Sequence, residues 1–144
     1  MQVKFFPHPA DIEFEVYGET LEEVFKNAAK VVFDAITPIK NVNAVISKEI
    51  EIKSEDLESL LYDFLENIII LHDSENLVFK DVEIHELKAE NEFFIKASLK
   101  GEQYNPEKHE SGVVIKAVTY HEMKIGKKII NGKEMWFAHV VLDI

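Results

Sequence analysis

Two amphipathic stripes at helical spacing constrain this chain most, because each must lay one apolar face on something else. In the first, Leu21, Val24, Phe25, Ala28, Val32, Ala35 and Ile36 fall on one side of a helix. Thr20 and Glu23 form a capping box at its start and Pro38 ends it. In the second, Leu57, Leu60, Leu61, Phe64, Ile68 and Leu71 repeat the stripe, with Ser54 predicted as N-cap and Glu55 and Asp56 in the first turn, where the helix dipole favours acids. The cover has to come from the rest of the sequence, which reads as strands.

Ile12, Phe14 and Val16 alternate with Glu13, Glu15 and Tyr17 up to Gly18, the period-two signature of a strand with one wet face. Further extended stretches are predicted at 42–53, 77–87, 93–99, 113–125 and 135–143. Asn131-Gly132 marks a tight hairpin joining the last two. Strands clustered without regular helix alternation argue against a doubly wound parallel sheet. The expected fold is α+β: a mixed, mainly antiparallel sheet with two amphipathic helices packed on one face. No linker, low-complexity tract or repeat divides the chain, so residues 1–144 are read as a single domain.

Composition then removes several function classes. The 144 residues are 47% apolar and 30% charged, a globular balance that supports one core. There is no cysteine, so neither a disulfide framework nor a thiolate metal site can form. The longest apolar run, 68–71, is far short of the roughly 20 residues that span a bilayer. Met1-Gln2-Val3-Lys4 opens no signal peptide, so a cytoplasmic protein without a membrane partner is expected. Net charge is −11, and all 16 basic residues are lysine. An anionic chain without guanidinium forks is poorly suited to phosphate backbones and guanine edges, so contact with RNA is expected only indirectly, through another protein. The same acidity suits divalent cations or a basic partner, and equally serves solubility.

Four groups of residues could carry chemistry. His8-Pro9-Ala10-Asp11 sets a histidine and an aspartate just before a strand. Val140-Val141-Leu142-Asp143-Ile144 keeps a core-type strand pattern to its last residue, which would hold the Asp143 side chain and the Ile144 carboxyl group in place. If Asp11 came near them, three carboxylates would converge. Like-charge repulsion then requires a proton or a cation, and an all-oxygen set matches Ca2+, Mg2+ or Mn2+. The plainer alternative is that Asp143 only ends an edge strand. The third group, Lys116-Ala117-Val118-Thr119-Tyr120-His121, follows Lys108-His109; strand alternation would put Lys116 on a face with Val114, Val118 and Tyr120, where an ammonium needs an anion or an edge to snorkel from. His109 and His121 lack the spacing of a zinc site, and His72, His85 and His139 carry no motif. The fourth group, Lys124, Lys127, Lys128 and Lys133, surrounds the hairpin turn, where lysines commonly keep a sheet edge unpaired. Phosphate loops, nucleophile elbows and zinc-hydrolase helices are absent, so no catalytic residue is assigned.

In order along the chain these pieces resemble the archease family. The resemblance rests on His8-x-Ala10-Asp11; Tyr17-Gly18-x-Thr20-Leu21-Glu22-Glu23-x-Phe25; Asp56-Leu57-x-x-Leu60-Leu61; Lys108-His109 with Lys116-Ala117-Val118-Thr119-Tyr120; and Val141-Leu142-Asp143-Ile144. It spans essentially the whole chain. It implies a small α+β accessory protein, not itself an enzyme, that assists an RtcB-type RNA ligase in tRNA splicing by promoting ligase guanylylation and repeated turnover. It also implies a divalent metal site, calcium in the usual description, on Asp11, Asp143 and Ile144, with His8 and Lys116 as supporting or partner-contact residues. Pro9 stands where the family usually has threonine, and Val113-Val114 where Thr-Glu is common, which removes a carboxylate that could pair Lys116. Two alternatives to the accessory role are a metal-dependent hydrolase using His8, Asp11 and His109, and a general chaperone-like binding module.

Overall fold

The computed structural model describes residues 2–7 and 11–144. Seven strands and two long helices follow one another as β1 (Val3–Phe6), β2 (Asp11–Gly18), α1 (Leu21–Ile36), β3 (Ile46–Ser54), α2 (Leu57–Glu75), β4 (Leu77–Glu90), β5 (Glu92–Gln103), β6 (Ala117–Ile130) and β7 (Lys133–Asp143), with a short 3-10 turn, Ile39–Asn41, after α1. The strands form two sheets, in the orders β1-β2-β7-β6 and β3-β5-β4, and every pairing is antiparallel. The α+β class is therefore as expected from the sequence. The strands divide between two sheets, and α1 and α2 pack against strands of both.

The helices form for the reasons their sequences give. The Thr20 hydroxyl accepts from the Glu23 amide at 3.2 Å, and Glu23 reaches back to the Glu19 amide at 2.7 Å, so two amides that no helical carbonyl can serve are paired. Helix α1 then buries a broad stripe from Leu21 to Ile36 and meets α2 and β4 through aromatic pairs, Phe25–Phe64 at 5.7 Å and Phe33–Phe79 at 5.6 Å. Helix α2 is capped by Asp56, not Ser54: Asp56 and Ser59 form a reciprocal capping box. Ser54 stays in β3 opposite Phe93, and its hydroxyl donates to Asp63 at 2.6 Å. The extended pairing of Ser54 removes it from the helix start, and the next residue able to cap takes over. Inward-facing side chains of the strands, including Phe14, Val16, Ile95, Ala97, Leu99, Val140 and Leu142, complete the core.

The stretch predicted as a strand at 113–125 differs most. Strand β6 begins at Ala117, and the residues before it close a long loop after β5. That loop is anchored by backbone bonds: the Gly112 amide donates to the Ile36 carbonyl and the Val113 amide to the Ala35 carbonyl, both at 2.9 Å, so it satisfies carbonyls at the end of α1. A Cβ at position 112 would lie 2.1 Å from the Ala35 oxygen, so only glycine allows this approach. Between Thr119 and Lys124 the pairing of β6 with β7 shifts register, and Glu122 sits there with φ +55°. The Asn131-Gly132 turn is as predicted, with both residues at positive φ as a type I′ hairpin requires.

Candidate functional site

Alternation along β2 separates two chemistries. Phe14 and Val16 enter the core, while Asp11, Glu13, Glu15 and Tyr17 project from the outer face of the four-stranded sheet. Strand β7 lies beside β2 in a register that pairs Asp11 with Asp143, Glu13 with Val141, Glu15 with His139 and Tyr17 with Phe137. Directly opposed residues share a face with Cβ atoms about 4.5–5.5 Å apart, so the Asp11 and Asp143 side chains rise side by side from neighbouring strands. Ile144 follows at once, and on the far side of β7 Asp143 is opposed by Ala117. The Lys116 amide donates to the Asp143 carbonyl at 2.7 Å, which fixes the backbone of this corner.

The two aspartates that the sequence nominated are thus brought together by strand register. Both are partly buried, as is Ile144, so the donor set at this corner is oxygen-rich and reachable from solvent. Oxygen donors of this kind are the type that hard cations take, and Asp11, Asp143 and Ile144 are the residues here that could hold one. His8 lies outside the described residues. Lys116 does not share a buried strand face with Val118, because β6 starts one residue later; its side chain is exposed beside the aspartate corner, free of the desolvation penalty that a strand-face position would carry.

His109 has a structural role. It is 2% exposed, with Nδ1 accepting from the Asn105 amide at 2.9 Å and Nε2 3.1 Å from Glu102, while Tyr104 stacks on its ring. Glu102 also takes Lys108 and the Asn43 amide. Those bonds, Lys108 first, hold its carboxyl down at about 2. Both ring nitrogens of His109 are therefore committed to stapling the 104–116 loop. Three of the four hairpin lysines are paired as well: Lys133 with Glu19, Lys127 with Glu134 at 3.8 Å and over the Trp136 ring, and Lys128 with Glu15.

Sequence reasoning passed over Glu15 and His139. Glu15 is 6% exposed and takes hydrogen bonds from the Tyr17 hydroxyl at 2.8 Å, from Lys128, and from His139 Nδ1 at 2.8 Å. Burial raises its pKa more than any single contact lowers it, yet the bonds from Lys128, His139 and Tyr17 together outweigh burial and bring it below the usual carboxylate range. Burial, and after it the bond to Glu15, pushes the Tyr17 phenol up to about 12. The only signal in the sequence was Glu13 and Glu15 alternating on a wet strand face. What puts His139 beside them is register across a fold of over a hundred residues.

Comparison with known proteins places this arrangement in a family. Residues 4–144 match the model of the Archease protein family (MTH1598/TM1083). The chain is 46% identical to the archease of Thermococcus kodakarensis over 139 residues, covering 96% of each protein, and 41% identical to that of Pyrococcus furiosus over 143 residues, covering 99% of each. The solution structure of Methanobacterium thermoautotrophicum protein 1598 superposes with a TM-score of 0.83 at 36% identity, over 99% of this chain and 98% of that one. A crystal structure from Thermotoga maritima, described as an archease and possible chaperone, shares the fold at a TM-score of 0.61 and 24% identity, over 100% of this chain and 98% of that one.

Proposed function

Because this chain belongs to the archease family, we propose that it is an accessory protein of an RtcB-type RNA ligase in tRNA splicing, presenting a divalent-cation site on Asp11, Asp143 and Ile144 to the ligase. The observation that carries this reading is the antiparallel register that opposes Asp11 and Asp143, with Ile144 next in the chain. The cation is hard, calcium first and magnesium or manganese next, because every donor is oxygen. When bound, it would supply positive charge between the two carboxylates and open coordination positions for oxygen ligands from the partner.

The chain's own residues then do three things. Asp11 and Asp143 hold the cation at the sheet surface, where a docked protein can reach it. The Lys116 amide fixes the Asp143 backbone, while its ammonium stands exposed beside the corner to meet an anionic group of the partner or its nucleotide. The chain as a whole, at net charge −11 with no arginine, favours a basic protein groove over nucleic acid, so RNA is met only through the ligase. Promotion of guanylylation follows if the docked corner organises the ligase's metal and nucleotide geometry.

The test is guanylylation of the cognate ligase by GTP with wild-type protein and with Asp11→Ala, the fold of each checked by circular dichroism. Stimulation should be lost in the variant; equal stimulation by both overturns the proposed site. Residues added after Ile144 should weaken Ca2+ binding in calorimetry, and unchanged affinity removes the Ile144 carboxyl group from the ligand set. A hydrolase built on His8, Asp11 and His109 is disfavoured because the His109 side chain is fully buried, its ring held between the Asn105 amide and Glu102 where no substrate reaches it.

A further inference from the structure

The outer face of the four-stranded sheet carries a second set of ligand atoms beside the aspartate corner. Glu13, Glu122 and His139 place one carboxylate oxygen each and a ring nitrogen within 4.8 Å of one another. The three come from β2, the register shift of β6, and β7, so the fold assembles them from remote parts of the chain. We propose that they form a separate site for a borderline transition cation, of which Zn2+ is the type, with a water molecule completing a tetrahedron.

Three observations carry this. First, the His139 ring is fixed in direction: Nδ1 donates to the buried Glu15 carboxylate at 2.8 Å, and Nε2 donates to Glu13 at 2.6 Å, the one bond and proton that an arriving ion would displace to take both atoms as ligands. A carboxylate behind a histidine, with the other nitrogen pointing at a further donor, is the arrangement that fixes tautomer and ring direction at metal centres. Second, Glu122 is an exposed carboxylate that makes no hydrogen bond or ion pair among the described residues. It is therefore uncommitted, while its oxygen lies in the same small sphere as the other two. Third, the set borders a cleft of about 400 Å³ lined by Glu15, Glu122, Lys124, Lys128, Phe137 and His139, which gives an ion and its water a way in.

Charge is consistent with a dication. Lys128 is spent on Glu15, so Glu13 and Glu122 supply two negative charges to the ion, with Lys124 the other cation lining the cleft. The imidazole distinguishes this site from the all-oxygen corner of Asp11 and Asp143, since one nitrogen with two carboxylates suits zinc or cobalt better than calcium. The two sites are neighbours: Asp11 and Glu13 are two residues apart on one strand face, about 7 Å. The cation would tie the irregular part of β6 to the flat part of the sheet.

The experiment is titration of the untagged full chain with Zn2+ by calorimetry and with Co2+ by visible absorption, alongside Glu122→Gln, His139→Ala and Asp143→Asn. The expected result is one Zn2+ per chain, tetrahedral Co2+ bands, and affinity weakened about tenfold or more by each of Glu122→Gln and His139→Ala, with Asp143→Asn retaining both signals. Because Glu122 is exposed and makes no bond among the described residues, its variant tests ligation without disturbing the fold. Absence of Zn2+ binding in the wild type overturns the proposal, as does wild-type affinity in Glu122→Gln. Loss of binding in Asp143→Asn, with Glu122→Gln unaffected, would assign the ion to the aspartate corner instead. The ligase assay with Asp11→Ala is independent of all these outcomes.

Discussion

The two sheets carry alternating charged residues on their outer faces, but they use them differently. On the three-stranded sheet, Lys96 faces Glu51 at 3.5 Å, Lys100 faces Glu83 at 3.5 Å, and His85 touches Ser98 at 2.6 Å and lies near Glu49 at 3.7 Å. These are solvated pairs, with side chains about two-fifths to three-fifths exposed. On the four-stranded sheet, His139 is 15% exposed between two carboxylates, and Glu15 is almost fully covered by its partners. The same strand pattern thus yields a soluble surface in one sheet and a built polar network in the other. What separates them is cover: β1, with Phe6 packed 4.9 Å from the His139 ring, and the register shift of β6 wall in the second face.

This contrast can be broken by experiment. Glu15→Gln should show the largest effect, about 2–3 kcal/mol lost in urea denaturation, because a buried carboxylate that serves Lys128, His139 and Tyr17 at once is replaced by a neutral amide. A loss below about 0.5 kcal/mol would mean that the network is no more than a surface cluster. Since the folded-state pKa of Glu15 is depressed, its contribution is present above the ordinary carboxylate range and fades as pH falls through the lowered value. Urea midpoints should therefore converge for wild type and variant in acid.

Tyr17→Phe comes next, at about 1 kcal/mol for one buried hydrogen bond. Its sharper readout is alkaline titration of the phenols by ultraviolet absorbance. The Tyr17 phenol, held at about 12 in the folded state against 10.0 as its ordinary value, stabilises the fold below the ordinary value and ceases to do so as pH rises through the folded one. The variant should lose the highest-titrating step, and a titration unchanged above pH 11 would count against the Glu15 bond.

The smallest effect belongs to the other sheet. Lys100→Gln should stay within about 0.5 kcal/mol and should be insensitive to salt once the partner charge is screened. A cost comparable to that of Glu15→Gln would erase the distinction between the faces.

Much of the fold was legible because local chemistry dictated it. The stripes of α1 and α2, the Thr20 and Glu23 cap, and the Asn131-Gly132 turn each depend on residues within a few positions. Errors fell where a contact from elsewhere intervened. Ser54 was drawn into β3 by pairing with Phe93, and the strand predicted from 113 was delayed because Gly112 and Val113 spend their amides on the end of α1.

The site divides the same way. The sequence by itself determined which residue types were available: no cysteine, no arginine, an aspartate at the start of one strand and another at the close of the last, and acids alternating along β2. Only the tertiary structure decided which of them meet. Antiparallel register opposed Asp11 to Asp143 and carried His139 to Glu13 and Glu15, a meeting that no spacing in the sequence announced. The physical reason is that alternation sets the face on which a side chain stands, whereas its neighbour across the strands is chosen by the burial of the opposite face, where Phe14 and Val16 meet Val140 and Ala138 in the core.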